Sequence, residues 1–139
     1  MKYPLTAFPT LLIPVAIYAL AALVWGGAEG GFAAVLEGAA LSIDMPAGVV
    51  WALSWGELLV LCGLVALFID LLKATGTGSG TLLNHAFSVG VFIVCLVFFL
   101  IAPPFVTSPF FLLMAMALLD VIAGFTITII GARRDVSFD

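Results

Sequence analysis

Residues 49–73, VVWALSWGELLVLCGLVALFIDLLK, decide the class of the fold. The 24 residues ahead of Lys73 are apolar almost throughout and would extend about 36 Å at 1.5 Å per helical residue. That exceeds the roughly 30 Å hydrocarbon core of a bilayer, so the stretch predicts a tilted transmembrane helix over 49–72. Two acids, Glu57 and Asp70, lie within it. A carboxylate in a lipid-spanning helix is costly and calls for a partner or a task.

Composition agrees. The chain has 139 residues, 65 % hydrophobic and 9 % charged, against about 25 % charged in soluble domains, so it reads as one integral membrane domain over 1–139. The net charge of −4 argues against nucleic acid, which selects basic faces. Cys62 and Cys95 both fall in apolar runs and read as small buried thiols rather than a disulfide scaffold.

Three further apolar stretches flank the first. Residues 5–25 are too long for the apolar core of a signal peptide and are expected to form a retained span, kinked or late-starting at Pro9 and Pro14. Residues 30–43 are too short and glycine-rich to cross; Phe32, Val35, Leu36, Ala39 and Ile43 follow helical spacing, which predicts an amphipathic helix in the interface. Asp44 then offers an N-cap, with Pro46 in the first turn of the next helix. After Lys73, ATGTGSGT reads as a hairpin loop, since its glycines fit no phosphate-binding motif. Residues 82–102 form the next span, ended by Pro103 and Pro104, and 109–131 the last, closed by Gly131. The expected fold is therefore all-α, with four transmembrane helices and one interfacial helix.

Orientation follows from the bases. With four crossings, Lys2, Lys73, Arg133 and Arg134 share one side and the opposite loops carry no Lys or Arg. The positive-inside rule places both termini in the cytoplasm and the chain in the inner (plasma) membrane as a multi-pass protein.

The intramembrane polar residues are the candidate sites. Asp120 lies about 16 Å along the last span, near the midplane. Ala117, Ala123, Gly124, Thr128 and Gly131 share its face, a small-residue stripe suited to close helix packing. Glu57, about 12 Å from the same membrane face, would meet Asp120 as a proton- or cation-binding pair, with no Lys or Arg at that depth. A hydrogen-bonded clamp between helices is the plainer reading of the same acids. Asp70, Lys73, Asn84, His85 and Ser88 form a polar group at the cytoplasmic end, with Asp70 and Lys73 expected as an interfacial ion pair. A single histidine rules out a haem held by two histidines of one chain, and the cysteines lie too far from His85 for a zinc site, so no metal or cofactor is expected.

No serine or cysteine stands with a histidine and an acid in catalytic order, and no nucleotide or metalloprotease motif is present. Small multidrug exporters carry a glutamate in the first helix, which 5–25 lacks; the arginine-bearing motifs of membrane glutathione transferases are missing too. Two function classes remain. One is a non-catalytic subunit or assembly factor of a larger membrane complex, bound to other subunits or to itself. The other is a homo-oligomeric proton- or cation-coupled transporter or channel using Glu57 and Asp120.

Overall fold

A computed structural model of the chain describes residues 8–76 and 79–138. The chain is mostly helical: α1 Leu12–Trp25, α2 Gly31–Glu37, a hairpin of β1 Ala39–Asp44 and β2 Val50–Ser54, then α3 Trp55–Ala74, α4 Ser79–Ile101, a 3-10 turn Pro103–Phe105, and α5 Ser108–Phe138. Among the described residues three helices, lying in α3, α4 and α5, are long and apolar enough to cross a membrane. The protein is therefore a helical membrane protein.

The long run quoted first divides at Ser54. Val50–Ser54 is strand, and α3 begins only at Trp55. Ser54 caps the helix: its Oγ accepts from Glu57 N, and the Glu57 carboxylate accepts from Ser54 N, a complete capping box. The expected N-cap at Asp44 is thus corrected, since Asp44 closes β1 and pairs with Val50. The 20 residues of α3 still reach about 30 Å, the thickness of a bilayer core.

The expected interfacial helix over 30–43 is half right. Residues 31–37 are helical, but Gly38 turns to extended backbone (φ −61°, ψ 145°) and the chain continues as β1. Leu41 pairs with Leu53 and Ile43 with Trp51 across the antiparallel ladder. Met45 to Gly48 make the turn, with Gly48 N bonding Met45 O at 2.9 Å and Gly48 at φ +83°. Proline followed two residues later by a left-handed glycine is a hairpin signal, and β-branched and aromatic residues on both sides favour strands.

The first span also differs. Helical structure begins at Leu12, giving 14 residues or about 21 Å, after a turn in which Leu12 N bonds Pro9 O. Of the two readings of Pro9 and Pro14, the late start is the one observed. At its far end Trp25 lines the same cavity as Trp55, while Phe8 and Thr10 bond Lys73, so α1 runs antiparallel to α3.

Helix α5 is the centre of the bundle, packed along α3 on one side and α4 on the other, while α3 and α4 touch little. Small residues set its approach to α3. A Cβ on Gly63 would lie 2.5 Å from Leu113 Cδ2, and one on Gly56 2.6 Å from Pro109 Cγ. Leu113 is fully buried. Gly131 does not end α5, which runs on to Phe138; a glycine costs a helix interior only about 1 kcal/mol.

Tyr18 anchors the other end of the core. It is fully buried, its hydroxyl lies 2.8 Å from Pro104 O and 2.6 Å from Thr107 Oγ1, and its ring packs on Phe32, Phe105 and Phe110. It ties α1 to the turn between α4 and α5.

Candidate functional site

The candidate site forms where α1 starts. A helix begins with orphan N–H groups, and in hydrocarbon each unsatisfied one costs several kcal/mol. Asp70, on the last turns of α3, supplies the acceptors: Thr10 N donates to its Oδ1 at 2.7 Å and Leu11 N to its Oδ2 at 3.0 Å. Lys73, one turn on, lies 3.4 Å from Asp70 Oδ1 and donates to Phe8 O at 2.7 Å and Thr10 Oγ1 at 2.6 Å. The expected interfacial pair of Asp70 and Lys73 exists, but Asp70 is fully buried. Its carboxylate caps a helix that begins inside the bundle.

Asp120 joins this cluster from α5. It is 3 % exposed, and its carboxyl lies within hydrogen-bonding and Coulombic range of Asp70. From α4, Ser88 Oγ reaches Asp120 Oδ2 and the Asn84 main-chain oxygen, each at 2.9 Å. Asn84 and Ser88 stand one turn apart, both buried, and Asn84 Oδ1 is buried with no hydrogen-bond partner among the described residues. His85 is buried too: its ring presses on Gly124, where a Cβ would overlap the imidazole, and stacks on Phe125 at 6.0 Å between centroids. Cys95, two turns beyond Ser88 on α4, is fully buried.

The partner of Asp120 is thus Asp70, and the expected pairing with Glu57 is corrected. Because α3 starts at Trp55, Glu57 sits in its first turn, exposed and engaged in the capping box, while Asp120 lies level with Asp70 along α3. A base also stands at this depth, since Lys73 acts electrostatically on Asp120. The expected packing seam divides as well. Ala117 and Gly124 are buried against neighbours, whereas Gly131 is exposed with open space around its Cβ position. The Thr128 side chain and Lys2 lie outside the described residues.

A serine and an acid therefore do meet, at Ser88 and Asp120, with His85 one turn before Ser88 on α4. This is not triad order, because the Ser88 hydroxyl contacts the Asp120 carboxyl directly, where a triad places the imidazole between them. Ser88, His85 and Asp120 are all buried. Among the described residues, no three of His, Cys, Asp and Glu converge as metal ligands.

Two grooves lie elsewhere. An apolar one of about 680 Å³ runs between α1, α2 and α3, with Trp25, Trp55 and Cys62 in its wall. Another, of about 510 Å³, holds Glu37, Ser54 and Glu57 beside Ser108. Tyr18 was not singled out by its sequence context; its signal was a lone hydroxyl-bearing ring on the same helix face as Pro14, Val15 and Ala22, all buried.

No protein-family model matches the chain, and no curated protein or solved structure matches it either.

Proposed function

We propose that the protein is a non-catalytic subunit or assembly factor of a larger membrane complex, acting through contact rather than chemistry. The observation that carries this reading is the hairpin 39–54. Leu41, Ile43 and Trp51 are exposed on it, and among the described residues each strand has one unpaired edge. A two-stranded ribbon is marginal alone, and open edges with apolar side chains invite pairing with another chain. The polar groups of the bundle support the same reading, because Asp70, Lys73, Ser88 and Asp120 are engaged with one another and with the start of α1.

The proposed topology keeps four crossings with both termini in the cytoplasm of a plasma or inner membrane. α1 completes the first, entering beside Lys73 and leaving beside Trp55, with the hairpin on the outer side. The distribution of Lys2, Lys73, Arg133 and Arg134 supports that orientation. A carrier built on Glu57 and Asp120 loses its support, since those residues stand at different depths.

Purification in mild detergent, with a photo-crosslinking residue at Ser42 in the hairpin or at Val97 on the exposed side of α4, tests the proposal. A stoichiometric partner captured at Ser42 is expected. A lone homo-oligomer, together with ion flux in liposomes that Asp120→Asn abolishes, overturns it.

A further inference from the structure

We propose that the hairpin 39–54 is a lipid-contact ribbon, lying in the headgroup region of the bilayer with its Leu41, Ile43, Trp51 and Leu53 face turned toward the acyl chains. Successive side chains of a strand point to opposite faces, and residues opposite one another in a ladder share a face. The register pairs Leu41 with Leu53 and Ile43 with Trp51, alternating with Ser42 to Ala52 and Asp44 to Val50. Over 41–44 and 50–53, one face therefore carries four large apolar side chains and the other carries both polar ones, Ser42 and Asp44. This is the period-two counterpart of an interfacial amphipathic helix. Leu41 is 48 % exposed, Ile43 41 % and Trp51 45 %, so the rest of the described chain leaves the apolar face uncovered. The ribbon packs on the chain chiefly at the start of α3.

What covers that face follows from where the ribbon is rooted. β2 runs into α3 without a linker, since Ser54, the last residue of the strand, is the N-cap of the helix. α3 has 20 residues and reaches about 30 Å, so a bilayer core matched to it ends near Trp55 and the ribbon starts in the headgroup region. The three tryptophans of the chain gather at this end: Trp25 and Trp55 wall one cavity, and Trp51 stands on the ribbon one strand-length before Trp55. Indole favours that depth because it joins an apolar body to a single N–H donor. The bilayer contact of α3 thus passes through the exposed Trp55 into the exposed Trp51. Asp44 is the one charged residue of 39–54 and lies on the Ser42 face, so the apolar face meets lipid without desolvating a charge. Lipid takes one face only. The Ser42 face stays turned to water, open to another chain, so this inference stands apart from the subunit reading and neither requires the other.

Trp51 is the probe. The full chain with Trp25→Phe and Trp55→Phe, which leaves Trp51 as the sole tryptophan, is reconstituted in phosphatidylcholine vesicles. Its emission is expected to be blue-shifted and to resist aqueous acrylamide. Lipid brominated near the headgroup end of the acyl chain is expected to quench it more than lipid brominated near the chain tip. Ile43→Lys, directly opposite Trp51, is expected to red-shift the emission and open it to acrylamide, whereas Ser42→Lys on the other face leaves it unchanged. Quenching by acrylamide without quenching by bromolipid puts the ribbon in water and overturns the proposal. Protection from both quenchers means that a second copy of the chain covers the face, and overturns it as well. Equal effects of the two lysines overturn the assignment of the face. A phosphatidylcholine with a photoactivatable diazirine near its headgroup end, applied to the unsubstituted chain and mapped by mass spectrometry, needs no variant to fold. Adducts within 39–54 are expected, and adducts confined to α3, α4 and α5 overturn the proposal.

Discussion

Asp70→Asn tests whether a carboxylate inside the bundle holds the start of α1. The aspartate accepts two main-chain N–H bonds, at 2.7 and 3.0 Å, and is fully buried. Hydrogen bonds to a charged group contribute about 1.5–3 kcal/mol each. Asparagine keeps one carbonyl acceptor, so one bond survives without its charge and the other meets an NH₂ group that cannot accept. The ion pair adds little, because Lys73 is partly solvated and keeps its contacts to Phe8 O and Thr10 Oγ1. Relief of the contact with Asp120 offsets part of the loss. The expected net destabilisation is about 2–4 kcal/mol, a large share of the roughly 5–15 kcal/mol that holds a typical domain. Unfolding in mixed micelles followed by circular dichroism measures it. A second readout isolates α1: Val15→Cys, in a background with Cys62 and Cys95 replaced by alanine, reports detachment through maleimide labelling of a buried position. Labelling is expected to accelerate in Asp70→Asn. If stability stays within about 0.5 kcal/mol of the parent and labelling is unchanged, Asp70 does not hold α1 and the reasoning fails.

Gly124→Leu is expected to abolish or strongly reduce folded protein, because any Cβ there overlaps the His85 ring, while Gly131→Leu, in open space, leaves yield and melting unchanged; gel filtration in detergent separates the two. Tyr18→Phe removes the hydroxyl that bridges Pro104 O and Thr107 Oγ1 and is expected to cost about 1–2 kcal/mol in the same unfolding assay. Ser54→Ala removes one half of the capping box and is expected to lower stability by about 1 kcal/mol in the same assay. A cysteine at Ser137 is expected to react with an impermeant reagent only in permeabilised cells, and labelling of intact cells contradicts the proposed topology.

The membrane class and the three long spans were legible because a run of 20 or more apolar residues fits a bilayer crossing and little else. What misled was hydropathy itself. Val49–Ser54 is as apolar as the helix that follows, so periodicity cannot separate strand from helix there, and the boundary rests on the capping box of Ser54 and Glu57. The turn chemistry of Pro46 and Gly48 was the available signal, and it outweighs the i, i+3, i+4 spacing seen over Phe32 to Ile43. Moving the helix start from Val49 to Trp55 carries Glu57 from the expected 12 Å depth into the first turn. Asp120 then needs a different partner. Its true neighbour, Asp70, is visible as a polar residue but reads as interfacial, because the sequence allows a late start of α1 without showing that its unsatisfied N–H groups come down to meet Asp70.

The late start of α1 also accounts for so many polar residues gathering at one level of a chain with so few. Once Pro9 defers the helix, the N–H groups of Thr10 and Leu11 open inside the bundle and require a buried acceptor. An acceptor that satisfies two donors at once, from a neighbouring helix, is a carboxylate. A buried carboxylate in turn requires a cation, and Lys73 stands one turn away, near enough to water to keep its charge. Asp120 is the member this sequence of needs does not demand. Removing it would leave α1 capped and Asp70 paired, so the capping of α1 does not account for its place against Asp70. Ser88 on α4 reaches this carboxyl, and one turn further along α5 Gly124 leaves room for the His85 ring. Three helices thus converge on a carboxyl that the start of α1 does not need, and this sets Asp120 apart as the member of the cluster that the capping of α1 does not explain.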